Sequence, residues 1–170
     1  MMEKLEKTNL SIRKASAEDV PLILKFIKEL SIYEKMSKEV VATKETLRKT
    51  LFGDKSYAQV LIAEIDQKPV GYALYFYNFS TFIGKPGIYI EDLYVNPEVR
   101  AKGIGKSLFS YIARLAVERK CCRLEWSVLH WNEPSISFYK KLGAEPKDEW
   151  IIYKMSGKAL ERLAGIYVQD

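Results

Sequence analysis

A chain of 170 residues, 48% hydrophobic and 29% charged, has the length of one domain and enough apolar side chains to bury a core. Its longest apolar stretches, such as "VGYALYFY" at 70–77, fall far below the roughly 20 residues needed to cross a bilayer, so no membrane span is expected. A single histidine rules out multi-histidine metal sites, and the net charge of +5 suits an anionic ligand but is spread along the chain.

With neither zinc-finger spacing nor an aromatic-basic RNA signature, the positive balance reads as a solvated surface plus one local anion site, not as a nucleic-acid interface. Cys121 and Cys122 are neighbours, poorly placed to bridge or to form a Cys-x-x-Cys site, and read as reduced thiols. The opening "MMEKLEKTNL" lacks the apolar centre and cleavage site of a secretory signal, which makes the cytoplasm the expected location.

Taken in chain order, a first strand is expected at 11–15. "AEDVPLILKFIKELSIYEK" then sets Val20, Ile23, Leu24, Ile27 and Leu30 at helical intervals, and a second helix is expected over Lys44–Phe52. Runs rich in branched and aromatic residues at 58–65 and 69–77 read as strands. The intervening "DQKP" is too short for a crossover helix, so the two strands form an antiparallel hairpin. A strand at 88–95 leads through a loop into a helix whose Ile104, Leu108, Tyr111, Ile112, Leu115 and Ala116 share one face. After a strand at 123–130, "HWNEPSISFYKKLGA" offers Asn132 as a natural N-cap, Pro134 in the first turn and Gly143 as the stop. A last strand is expected at 150–155. Helix and strand alternate throughout, giving an α/β fold with a mixed sheet in a single domain over 1–170, without repeats or linkers.

The loop "NPEVRAKGIGKS" ends in the Gly-Lys-Ser of a nucleotide-binding P-loop, but the required first glycine is replaced by Arg100, so the ATP pattern is broken. What remains is Arg100-x-x-Gly103-x-Gly105 running into a helix. Exposed N–H groups and the positive end of that helix form an anion site without the ATP-specific part.

"IYIEDLYVNPEVRAKGIGKSL" followed by "VLHWNEPSISFYKKLGA" resembles the GNAT superfamily of acetyl-CoA-dependent N-acetyltransferases, over nearly the whole chain. The segments "IKELSIYEK", "FIGK", "YIEDLYV" and "WNEPSISFYK" are similar to its diamine acetyltransferase branch, the spermidine/spermine and thialysine acetyltransferases. The resemblance implies a central, mostly antiparallel twisted sheet with a splay, flanked by helices. It also implies acetyl-CoA as cofactor, with the pyrophosphate held by backbone N–H groups of Arg100, Ala101, Lys102, Gly103, Ile104 and Gly105, with Lys106 beside them. Glycines let that backbone approach closely. Ala101 stands where many relatives have glycine, so its Cβ restricts the loop. Leu93, Tyr94 and Val95 would pair with the pantetheine amides as an added strand. Asn132, Ser135 and Tyr139 would face the cofactor from the last helix, Asn132 and Tyr139 being about two turns apart.

The chemistry poses two proton problems. Holding a primary ammonium neutral near pH 7.4 costs roughly 4 kcal/mol, so a carboxylate must help. Glu91 and Asp92 are neighbours on one strand and are expected on opposite faces, with one in the cleft and the other structural. The resemblance assigns Glu91 as general base, acting through water. A departing thiolate needs a proton donor, and Tyr139, whose phenol is protonated at rest, is the implied acid.

For the acceptor, resemblance places Tyr33, Glu34, Glu149 and Trp150 in the site, with Asp148 nearby, since carboxylates and aromatic faces together hold a cation. Ser80 and Thr81 stand where polyamine-preferring relatives carry an acid, which points to thialysine-like amines. The expected partner is a small-molecule amine, and the expected assembly a homodimer with carboxy-terminal residues at the interface. A protein or peptide acetyltransferase and a non-catalytic acetyl-CoA-binding module are the alternatives.

Overall fold

Two hairpins build the sheet. In the computed structural model, which describes residues 9–165, strands β1 (Leu10–Lys14), β2 (Gln59–Ile65), β3 (Lys68–Ser80), β4 (Lys85–Val95) and β5 (Leu124–Trp126) lie in the order β1-β2-β3-β4-β5. All neighbours are antiparallel except β4 and β5, which run parallel. The β2–β3 turn is Asp66–Gln67, both with positive φ (48° and 64°), the backbone that a two-residue hairpin demands. The leader reading at 1–8 and the end of the chain at 166–170 lie outside the described residues.

Two compact units divide at Leu129/His130. In the first, α1 (Val20–Tyr33) and α2 (Lys44–Phe52) cover one sheet face, where Ile23, Phe26, Leu51, Val60, Ile62, Tyr72, Leu74 and Tyr94 form a core. Phe26 stacks on Tyr72 with ring centres 5.5 Å apart. Helix α3 (Ile104–Glu118) packs on β3 and β4, burying Ile104, Leu108, Phe109, Ile112, Leu115 and Ala116, the stripe its spacing predicts with Phe109 added and Tyr111 outside. Thr43 caps α2 by accepting from the Thr46 N–H at 3.1 Å. Gly71 lets β3 close on β4, since a Cβ there would meet the Tyr94 carbonyl at 2.5 Å.

The second unit holds α4 (Glu133–Lys141) and α5 (Gly157–Ala164). Asn132 caps α4, accepting from the Ser135 N–H at 3.4 Å, and Gly143 ends it at φ 85°. Two expected strands differ. The strand at 123–130 shortens to Leu124–Trp126, its ladder with β4 ending at Ile90↔Trp126, the pair just before the register of β4 shifts at Glu91. The run at 150–155 forms no strand: its residues are exposed and pair with nothing in the sheet, and β-propensity without a ladder does not make a strand. Among the described residues no helix is long and apolar enough to cross a membrane.

Candidate active site

Strand β4 carries an extra residue. Leu74 of β3 pairs with Asp92, but the next residue, Tyr75, pairs with Ile90, so Glu91 has no counterpart of its own. This is a β-bulge, which breaks the alternation of side chains and bends the strand. The expectation that Glu91 and Asp92 point to opposite faces is therefore corrected: both line the same cleft. Period-2 alternation holds only where the register is unbroken.

That cleft, of about 410 Å³, lies between the bulge, the inner face of α1 and the segment after it. Ile27, Leu30, Met36, Val40 and Val41 supply its apolar wall, and Glu34, Glu39, Glu91 and Asp92 its charge. Among the described residues no lysine or arginine lines it. Asp92 is held in place by the Tyr72 hydroxyl, which donates to its Oδ2 at 2.7 Å. Burial raises the Asp92 carboxyl above its ordinary value, the Tyr72 bond opposing it. Burial, and then the charge of Asp92, raise both Glu91 and Glu34. Three neighbouring carboxyl groups thus prefer either a proton or a cation among them.

The β4–β5 ladder ends at Ile90↔Trp126, so the β5-side edge of β4 is open from Glu91 to Val95. Register decides which groups face it. The Asn96 N–H donates to the Val70 carbonyl, which makes 70 and 96 a hydrogen-bonded pair, 72 and 94 the next such pair, and 71/95 and 73/93 non-bonded pairs. Leu93 and Val95 consequently aim N–H and C=O outward, the Val95 carbonyl accepting from the Arg100 Nε at 2.9 Å, while those of Tyr94 belong to the β3 ladder.

At the end of this edge the chain makes a short 3-10 turn (Pro97–Val99) and reaches Arg100 in extended conformation, then Ala101 at φ 63° and Gly103 at φ 83° before α3 begins. Left-handed residues ahead of a helix turn successive N–H groups toward one point, the backbone form of an anion nest. Open space surrounds the missing Cβ of Gly103. Ala101 takes the same hand with a Cβ in place, a conformation costing about 1 kcal/mol in an L-residue. Lys102 and Lys106 are exposed beside the loop.

Ser80 and Thr81 sit at the β3–β4 hairpin instead of in the cleft: the Ser80 side chain accepts from the Ile83 N–H, and Gly84 donates to the Ser80 carbonyl at 2.7 Å. Tyr33 does not line the cleft either, although its neighbour Glu34 does. In the second unit, Asn132 is buried, Ser135 and Tyr139 are half-buried, and Glu149 and Trp150 are exposed. The sequence reading missed Glu39 and Tyr72. Glu39 lies in a short turn without periodicity; Tyr72 is one of several aromatics in an apolar run, and only its place opposite Tyr94, diagonal to Asp92, distinguishes it.

A profile of the acetyltransferase (GNAT) family matches residues 27–144. The chain is 39% identical over 165 residues to a thialysine N-epsilon-acetyltransferase of Bos taurus, covering 91% of this chain and 96% of that protein. It is 29% identical to an L-ornithine N5-acetyltransferase of Arabidopsis thaliana, covering 89% and 86%. Among solved structures, an integron cassette protein from the mobile metagenome of V. cholerae matches with a TM-score of 0.77 at 27% identity, covering 91% and 97%.

Proposed function

The chain belongs to the GNAT family of acetyltransferases and is an enzyme that transfers acetyl to an amine; we propose that its acceptor is a small primary amine carrying a second positive charge, such as a diamine or a lysine analogue. The observation that carries this is the pair Glu91–Asp92, brought to one side by the bulge into a cleft with acidic and apolar walls and, among the described residues, no basic one. Such a lining attracts and desolvates a cationic chain and repels a carboxylate. Relatives named for thialysine and ornithine support a lysine-like length for the acceptor.

Family members take acetyl from acetyl-CoA, and the residues of this chain fit that donor: the outward backbone groups of Leu93 and the Val95 N–H suit pantetheine amides, and the nest at 100–105 suits a pyrophosphate. The bound donor supplies an activated thioester. Glu91, its carboxyl raised by burial, takes the ammonium proton through water. Asp92, anchored by Tyr72, holds the amine against Glu91. Asn132 and Ser135 belong to the cofactor side in this proposal, and Tyr139 gives its phenolic proton to the departing sulfur. Tyr33, Ser80, Thr81, Glu149 and Trp150 are assigned to the acceptor side on resemblance alone.

The family match runs across the Leu129/His130 boundary, which supports reading both units as one catalytic domain. A homodimer in the cytoplasm completes the proposal. Exposed Phe79, Phe82 and Ile83 on one unit and Trp150, Ile151, Ile152 and Tyr153 on the other are the apolar surfaces it would use.

The test is acetyl-CoA kinetics on thialysine, spermidine and putrescine, with Tyr139→Phe alongside. At least one free amine should exceed every lysine peptide, and the variant should lose kcat by about 100-fold. Peptides outpacing all free amines would replace the acceptor reading, and undiminished turnover by Tyr139→Phe would remove its role as acid.

A further inference from the structure

Arg100 opens the loop at 100–105, yet its side chain turns back from it. Nε donates to the Val95 carbonyl at 2.9 Å, and the guanidinium carbon lies 4.8 Å from the centre of the Tyr33 ring and 5.8 Å from that of Tyr94. Tyr33 is the last residue of α1, immediately before Glu34 of the acidic cleft. Tyr94 belongs to the core beneath α1, its ring packed against Phe26 of the same helix with centres 5.8 Å apart. One side chain therefore ties the end of the open strand edge and the start of the anion loop to the helix that walls the acceptor cleft.

We propose that Arg100 is a positioning residue that couples the two ligand sites, so that filling the loop stiffens the end of α1 and filling the cleft stiffens the loop. This rests on the reading of the loop as the coenzyme site and of the cleft as the amine site. The residue type matters. A planar guanidinium lies flat on a ring while Nε bonds a carbonyl, whereas an ammonium has no face to stack and a differently placed donor. The backbone after Arg100 also needs an anchor, because Ala101 and Gly103 hold left-handed conformations that a free loop would not keep. Each exposed cation–ring contact contributes only about 0.5–1 kcal/mol, so the coupling is modest and is a property of the pair of sites, not of the fold. Reciprocity then requires that the amine tighten coenzyme A by the same factor that coenzyme A tightens the amine.

The experiment is calorimetric titration of coenzyme A into the full chain, with and without a saturating concentration of the best acceptor among thialysine, spermidine and putrescine. The wild-type chain should show coenzyme A tightened about fivefold or more by the amine. Arg100→Lys should reduce that factor below about twofold, the range of coupling left when the contact is gone. Tyr33→Leu, acting from the other partner, should do the same, while Tyr33→Phe, which keeps the ring face, should retain the factor whatever the hydroxyl adds to amine affinity. Unfolding midpoints of all three variants identify a simple loss of fold. Full coupling in Arg100→Lys, or none in the wild-type chain that binds both ligands, overturns the inference and leaves the acetyltransferase assignment standing. A wild-type chain that binds coenzyme A but none of the amines overturns the acceptor reading, and this inference with it.

Discussion

Carboxyl groups in two parts of the first unit are treated in opposite ways. At the β1–β2 edge, Arg13 donates two bonds of 2.8 Å to Asp19 and one of 2.9 Å to Glu64, and the Asp19 carboxyl is lowered, first by its bond to Arg13. In the cleft, Glu34, Glu91 and Asp92 have no cation among the lining residues and are raised, first by burial. The first group is finished chemistry that joins a strand pair to the turn leading into α1. The second is unfinished, and under the acceptor reading proposed above a cationic amine completes it. Carboxyls that stabilise the fold and carboxyls that await a ligand are distinguished here by whether the chain supplies its own guanidinium.

The sharpest way to break this contrast is Glu91→Gln. If Glu91 is the base proposed above, removing it lowers kcat/KM by about 100- to 1000-fold. The unfolding midpoint should not fall, because Glu91 is an exposed residue of β4 and the near-isosteric glutamine leaves no buried charge unpaired. A large loss of stability with unchanged kinetics would put Glu91 in the structural class. The converse variant is Arg13→Ala. Asp19 and Glu64 side chains are only 12% and 15% exposed, so leaving them unpaired should cost about 2 kcal/mol, between the values for surface and fully buried pairs, with kcat/KM unchanged. Equilibrium denaturation checks it, and a midpoint equal to that of the parent would show the network to be idle.

What the sequence disclosed follows the same division between local and non-local causes. The α3 stripe, the Asp66–Gln67 turn, the Asn132 cap and the Gly143 stop are readable because each depends on residues within a turn or two of each other. The bulge is not, because it depends on how thirteen residues of β3 register against β4, and a single slip between Leu74 and Tyr75 decides where Glu91 points. Strand ends were lost for a related reason: β3 runs on to Ser80 and β4 starts at Lys85 because each supports the other beyond the apolar pattern. The 150–155 run errs the other way, with strand composition and no ladder. At the site, family motifs single out the loop and Glu91 as candidates, whereas Glu39 and the Tyr72–Asp92 bond exist only in three dimensions.

The smallest expected effect tests the sign of the contrast directly. Asp92→Asn keeps an oxygen to accept from the Tyr72 hydroxyl but carries no charge, so it mimics the protonated state that burial favours. A carboxyl raised in the folded state leaves the fold most stable below its unfolded value, and that stability is lost as pH rises through the folded value. The variant should therefore be more stable than the parent at neutral pH, by about 1 kcal/mol, a usual size for one relieved conflict. The gain should shrink as pH falls through the raised value and vanish below the ordinary aspartate range. Arg13→Ala should show the reverse trend: Asp19 is lowered, its contribution is present above its unfolded value and is lost as pH falls through the folded one, so that variant approaches its parent only in acid. Denaturation curves for both variants between neutral and acid pH read the two slopes side by side. If Asp92→Asn is the less stable chain at neutral pH, the cleft carboxyls are not held in reserve for a cation, and the contrast between the two regions fails.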